Sequence, residues 1–220
     1  VNVDREFSTP AAFRTWIGGD NYGIGKSAAD FIANELNCQG NVVEIQGVAG
    51  ISVTQQRSKG FTDGIKRCNG GIKIVASQPA DFLPDKGLQV METMLQGQQD
   101  IDAVYTHDDD MAMGAVQAIR NANRQDEMFV TGAGGSKDAM NLIAEGDLYR
   151  ATFLYNPSMS ASAISLIEAY RPSSSSRFHW WAWHQGWAGA DVASGLWRGR
   201  CACRGRARSR PGRGAPRSRT

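Results

Sequence analysis

Two rhythms of apolar residues alternate along the chain. Short apolar runs occupy residues 41–46, 72–76, 101–106, 127–131 and 148–154. Each is followed by a polar or glycine-rich turn, then by a stretch with apolar residues three and four apart. The first rhythm predicts strands and the second helices, here over residues 52–67, 86–96, 111–122, 137–145 and from about 157 to 170. Ahead of this series, residues 1–5 and 15–18 read as short extended pieces. A helix then runs to about Leu36, with Ala28, Ile32 and Leu36 on one face. Ser52 and Gln55 are spaced as a capping box for the helix that follows the first long strand. Strands alternating with helices predict an α/β fold with a doubly wound parallel sheet. Right-handed crossovers would bring every strand-to-helix turn to one edge, the carboxyl edge, where open α/β sheets bind ligands.

The turns themselves carry the candidate chemistry. At the end of the strand 101–106, His107 is followed by Asp108, Asp109 and Asp110. Carboxylates at a helix start are favoured by unpaired backbone N–H groups and by the helix dipole, so capping accounts for any one of them. With the turns aligned on one edge, Asp108 becomes a candidate ligand acceptor, while Asp109 and Asp110 keep the capping role. Arg57 shares a helix face with Val53, Phe61 and Ile65. A guanidinium on that buried face needs acceptors and can turn into the carboxyl-edge cleft; a salt-bridged or snorkelling arginine is the plain alternative. Phe82 lies in a loop with Pro79 and Asp81 and can stack on the apolar face of a ring, or plug the core.

Other motifs are weaker. Gly25-Lys26-Ser27 imitates the end of a phosphate-binding loop, but Asp20 stands where that loop needs glycine. Glycines there suit close packing at a helix start instead. His107 with its aspartates makes too poor a ligand set for a metal, and no nucleophile-and-base pair converges on the carboxyl edge, so neither a cofactor nor enzyme activity is expected. Cys38 and Cys68 each end a helix and lie four residues before a strand residue. If those strands are neighbours, the thiols meet at the opposite edge of the sheet and form a disulfide.

Composition divides the chain. Residues 171–220 hold eleven arginines against one acid, Asp191, although the whole chain is only +2. A serine run (173–176) and four tryptophans between Trp180 and Trp187 open this segment, and Cys201 and Cys203 lie within it. Such a composition cannot bury a core in the pattern of residues 1–170. It is the expected product of a shifted reading frame; the alternative is a genuine basic tail able to pair with nucleic-acid phosphates.

The segments Asn2-Val-Asp-Arg5, Gly18-Gly-Asp-Asn21, Glu44-Ile-Gln-Gly-Val-Ala-Gly50, Arg57-Ser-Lys-Gly-Phe61, Ala76-Ser-Gln-Pro-Ala-Asp-Phe82 and His107-Asp-Asp-Asp-Met-Ala-Met-Gly-Ala115 occur in the order of a known pattern. Residues 1–170 resemble the ribose-type periplasmic sugar-binding proteins of ABC transporters, whose two doubly wound lobes close over a monosaccharide. The resemblance implies ligand roles for Asp4, Arg5, Arg57 and Phe82. Asp108 stands where the family usually has Asn, Tyr155 where it has Gln, and Gly134 where it often has Asp. These departures point to a monosaccharide other than ribose, or a polyol. Residues 1–20 are then expected to be a remnant of the first lobe and hinge, 21–155 a nearly complete second lobe, and 156–170 a hinge and a helix returning to the first lobe. In this reading the chain has lost most of that first lobe, together with any signal segment. The resemblance also implies a monomer located in the periplasm, or outside the cell at the membrane, with an ABC permease as partner. The alternative is a sugar-responsive transcription regulator of the lac-repressor type without its DNA-binding segment.

Overall fold

A computed structural model of the chain describes residues 1–7, 12–146 and 148–170. The serine run, the clustered tryptophans, His179, His184, Cys201 and Cys203 fall outside the described residues.

A short parallel pair, β1 (Asn2–Val3) and β2 (Trp16–Ile17), precedes α1 (Asn21–Glu35). Then come β3 (Gly40–Gln46), α2 (Ser52–Ile65), β4 (Ile72–Pro79), α3 (Pro84–Gly97), β5 (Ala103–Thr106), α4 (Asp109–Asn121), β6 (Phe129–Gly134), α5 (Lys137–Glu145), β7 (Tyr149–Leu154) and α6 (Met159–Ala169). The last five strands form one sheet in the order β4-β3-β5-β6-β7, with every pair parallel. The chain steps from β3 outward to β4, then crosses back to β5. Strand order therefore reverses between β3 and β5, the place where such sheets open a crevice at their carboxyl ends. β4 is an edge strand, which is why it runs on through Gln78 to Pro79 despite proline's missing donor.

The two-residue period of the strands splits the core into two layers. Val42, Ala103, Tyr105 and Phe129 face α1 and α2, where they pack with Ala28, Ala29, Ile32, Phe61 and Ile65. Val43, Ile45, Val104 and Val130 face the other way, onto Met91 and Met94 of α3, Met111, Ala115 and Ile119 of α4, and Ala139 of α5. Phe61 stacks on Tyr105 with ring centroids 4.3 Å apart. Both rings are fully buried, which contributes roughly 1.5–3 kcal/mol for Phe61; the Tyr105 hydroxyl is buried without a partner among the described residues, which offsets part of the gain from its ring.

Glycines bring α1 and α2 into backbone contact. A Cβ on Gly25 would lie 2.1 Å from the Arg57 carbonyl oxygen, and one on Gly60 2.1 Å from that of Tyr22. The glycines of the loop that imitates a phosphate-binding motif thus serve helix packing, and Asp20 caps α1 by accepting the Gly23 N–H at 2.8 Å.

At the amino edge of the sheet Cys38 and Cys68 are joined in a disulfide. The chain reverses there through left-handed residues, Asn37 and Cys38 on one side, Asn69 and Gly70 on the other. Asp102 ties β3 to β5 by accepting the Asn41 N–H at 2.7 Å.

The capping box does not form. Ile51 is the N-cap and its side chain has no acceptor. Ser52 sits one residue inside the helix, where its hydroxyl accepts the Glu6 N–H at 3.3 Å, and Gln55 donates back to the Gly50 carbonyl. The helix expected to reach Arg67 instead tightens into a 3₁₀ turn over Lys66–Cys68.

Candidate functional site

One cavity of about 470 Å³ opens at the carboxyl edge, and Asp4, Arg5, Arg57, Phe82, Asp108, Gly134 and Tyr155 all line it. These are the seven positions singled out in the sequence. They come from six separate places in the fold: the end of β1, α2, the β4–α3 loop, the start of α4, the end of β6 and the end of β7. Val53, Asp109, Asp110, Ala133, Ser136 and Leu154 complete much of the wall.

Arg57 is buried. Its Nε donates to Asn21 Oδ1 at 2.9 Å, and Nη1 donates to the His107 carbonyl. The guanidinium lies 5.1 Å from the centroid of the Tyr155 ring, a cation–π distance. Tyr155 in turn donates its hydroxyl to Asp4 Oδ1 at 2.5 Å, so one aromatic side chain links the arginine of α2 with the carboxylate after β1. Burial, then Asp4, pushes the Tyr155 phenol up, which keeps it a donor. Burial lowers the Arg57 pKa, while the negative groups around it act in the opposite direction.

Phe82 reaches the cavity through an unusual loop. Asp81 and Phe82 are both left-handed, with φ of 56° and 61°, a conformation that non-glycine residues seldom adopt. The pair of reversals lays the ring against Gly47 at the end of β3, where a Cβ would fall 1.9 Å from the Phe82 Cζ. Lys86 holds the loop by pairing with Asp81.

The three aspartates take three different roles. Asp108 is the N-cap of α4, accepting the Met111 N–H at 2.9 Å through Oδ1. Among the described residues no group donates to its other oxygen. Burial, together with Asp110 and Asp109, outweighs that hydrogen bond and the attraction of Arg57, and the carboxyl is pushed up to about 6. Asp109 is not a cap. It is buried and ties β7 to the turn between β6 and α5 by accepting the Tyr149 hydroxyl at 2.8 Å, the Thr152 hydroxyl at 2.7 Å and the Ser136 N–H at 2.7 Å. Asp110 is exposed in the first turn of α4 and borders the cavity. Gly134 has φ of 142°, and a Cβ there would come within 3.1 Å of Asp109 Oδ2, so bare backbone forms this part of the wall.

Behind the cavity lies a polar cluster that motif reading misses. Glu44 is buried in β3 and accepts from Ser77 Oγ at 2.6 Å, Ser58 Oγ at 2.7 Å and Gln46 Nε2 at 3.0 Å. His107, fully buried, sits 3.0 Å from Glu44 through Nε2, while its Nδ1 accepts the Gly47 N–H at 3.3 Å. That pattern assigns the Nε2–H tautomer. Burial holds the His107 pKa below its ordinary value against the pull of Glu44. Burial acts to raise the Glu44 pKa, but the His107 and serine hydrogen bonds prevail and lower it to about 2. A glutamate inside a strand pattern was the available signal, since Glu44 interrupts the apolar run Val42–Ile45. His107, Asp108 and Asp109 diverge onto separate partners, and among the described residues no three His, Cys, Asp or Glu side chains are placed to hold a metal. No helix among them is long and apolar enough to cross a membrane.

Comparison with known proteins gives a consistent result. A family model described as periplasmic binding protein domain matches residues 1–170. The ribose import binding protein of Bacillus subtilis (strain 168) is 38% identical over 159 residues, covering 72% of this chain and 50% of its own length. The galactofuranose-binding protein of Escherichia coli (strain K12) is 36% identical over 165 residues, covering 72% of the chain and 51% of its own. Among solved structures, the periplasmic binding protein of the arabinose ABC transporter from Shewanella sp. ANA-3, bound to L-arabinofuranose, superposes with a TM-score of 0.73 at 32% identity, over 76% of this chain and 57% of that one. The Caulobacter myo-inositol binding protein with bound myo-inositol gives a TM-score of 0.71 at 29% identity, over 74% and 56%. The chain spans about half the length of the curated relatives it matches.

Proposed function

The chain belongs to the periplasmic binding protein domain family, and from that membership we propose that its carboxyl-edge cavity binds a monosaccharide or polyol for an ABC importer. The observation that carries this reading is the convergence of two arginines, the carboxylates of Asp4 and Asp108, a tyrosine, an aromatic ring and the bare backbone of Gly134 on one cavity from six parts of the fold. Arginine offers a rigid fork of donors and a carboxylate accepts from two neighbouring hydroxyls, so together they fit a ring bearing vicinal hydroxyls. Phe82, Val53 and Leu154 supply apolar surface for the C–H faces of such a ring. Asp108, with an oxygen that no described residue donates to, favours a ligand hydroxyl as its donor. The bare backbone at Gly134 leaves room that a side chain would fill. Both features support a ligand other than ribose.

In this reading residues 21–155 form one ligand-gripping lobe, and residues 1–20 and 156–170 contribute hinge and flanking parts of a second. The protein performs no chemistry on its ligand and needs no cofactor. It works as a monomer in the periplasm, or outside the cell at the membrane, and delivers its ligand to a permease. The Cys38–Cys68 disulfide suits an oxidising compartment of this kind.

Calorimetric titration of the 220-residue chain with D-ribose, D-allose, L-arabinose, galactose and myo-inositol tests the proposal. Saturable binding of at least one, weakened by about 10–100-fold in Arg57→Met, is the expected result. Absence of both heat and thermal shift across the panel overturns it.

A further inference from the structure

Three lining groups of the cavity hang from elements that all donate to one carboxylate lying behind it. Ser58 follows Arg57 on α2, His107 precedes Asp108, and Ser77 lies on β4, the strand that leads to Phe82. Their side chains meet at Glu44 within 2.6–3.0 Å. His107 also makes two further links, each to a different part of the cavity wall. Its carbonyl receives Arg57 Nη1, and its Nδ1 receives the N–H of Gly47, the residue against which the Phe82 ring rests. Neither Glu44 nor His107 borders the cavity.

We propose that Glu44 and His107 are positioning residues that set the spacing of Arg57, Asp108 and Phe82, given the reading of the cavity as a sugar or polyol site. A buried carboxylate bound to four donors has little freedom to move, so elements attached to it keep a fixed separation. Apolar side chains of similar volume would hold the fold at least as well as a buried polar cluster. The cost of burying charge here is met by geometry, since a donor fork, an acceptor and a stacking ring are useful together only at the right distances. The cluster lies between the carboxyl ends of β3 and β5, where the strand order reverses and no crossover connects the two strands directly.

The test uses the 220-residue chain and two readouts. One is the ¹⁵N–¹H signal of Arg57 Nε with its hydrogen-exchange rate, which needs no ligand; the other is titration with D-ribose, L-arabinose and myo-inositol. In His107→Leu, exchange at Arg57 Nε is expected to quicken about tenfold and the binding constant to weaken about tenfold. His107→Gln, whose amide can donate to Glu44 and accept from Gly47, should return both to within about threefold of the parent. Met94→Ala, in the opposite core layer, should lower the melting temperature while leaving both readouts within about twofold. Parent-like exchange and binding in His107→Leu overturn the proposal, as does an equal change in Met94→Ala at matched loss of melting temperature. Should His107→Leu fail to fold, the Ser58→Ala, Ser77→Ala double variant takes its place with the same expectations. If none of the three sugars binds the parent, Arg57 exchange alone decides this proposal, and the wider panel with D-allose and galactose decides the functional reading.

Discussion

The two edges of the five-stranded sheet are built from different materials. At the amino edge the chain is fastened by a disulfide, left-handed turns and a backbone-to-Asp102 hydrogen bond. At the carboxyl edge lie all the buried charged or imidazole side chains among the described residues: Glu44, Arg57, His107 and Asp109. Burying such groups is costly unless each is paired. A fold selected for stability alone has no reason to gather them at one end. The contrast teaches that the sheet divides its labour, with one edge holding the strands together and the other holding polar groups in place around a cavity.

The sharpest way to break this division is to cut the amino edge and watch the other. Replacing Cys38 and Cys68 with serine releases a 30-residue constraint, which should cost about 3–4 kcal/mol in chemical denaturation. Ligand affinity should stay within about twofold in the same variant. A large loss of affinity would mean that the edges are not independent.

At the carboxyl edge Asp109→Asn should cost about 2 kcal/mol of stability, because three donors lose a charged acceptor. Melting curves of the two variants compare a covalent fastening with an electrostatic one directly.

Asp108→Asn should act in the opposite direction. Its carboxyl is pushed up to about 6 in the folded chain, above the ordinary carboxylate range, so folding favours the protonated form. The contribution of Asp108 to stability is therefore best below that ordinary range and is lost as pH rises through about 6. Asparagine keeps the cap without the charge, and should stabilise the chain by about 1–2 kcal/mol at pH 7, with the gain fading towards pH 4. Glu44 runs the other way: its pKa is lowered to about 2, so its contribution is present above the ordinary carboxylate range and is lost as pH falls towards that value. Denaturation of parent and variant at several pH values separates the two.

The smallest expected effect is Gly47→Ala. A methyl there must displace the Phe82 ring, and affinity should fall about threefold to tenfold with less than about 1 kcal/mol of stability lost. Unchanged affinity would count against the proposed ligand contact of Phe82.

Much of this was legible in the sequence, for identifiable reasons. Strand and helix periods place the turns, and a parallel sheet puts the turns on one edge, so Arg57, Phe82 and Asp108 could be named without coordinates. The cysteine pair followed from the spacing of two helix ends and two strands. Ligand roles for Asp4, Gly134 and Tyr155 came from family resemblance, and their place in the cavity wall is a property of the fold. What stayed hidden depends on which elements become neighbours. Asp109 reads as a cap until Tyr149 and Thr152 are known to face it. Glu44 is one polar letter in an apolar strand, and three of its four donors come from residues 14, 33 and 63 positions away. The expected Ser52–Gln55 box failed because Ile51, not Ser52, holds the N-cap position of the helix.

The contact between Gly25 and the Arg57 carbonyl bears on how this protein can change over time. Any side chain at position 25 would collide with the backbone of the residue that carries the cavity's buried cation. Position 25 therefore has a one-letter alphabet for as long as α1 crosses α2 at this height, and natural variation should find it frozen while the exposed rim around Leu154 drifts. New ligand preferences would then arise by exchanging rim residues, and lineages that altered position 25 would have to rebuild the helix pair first.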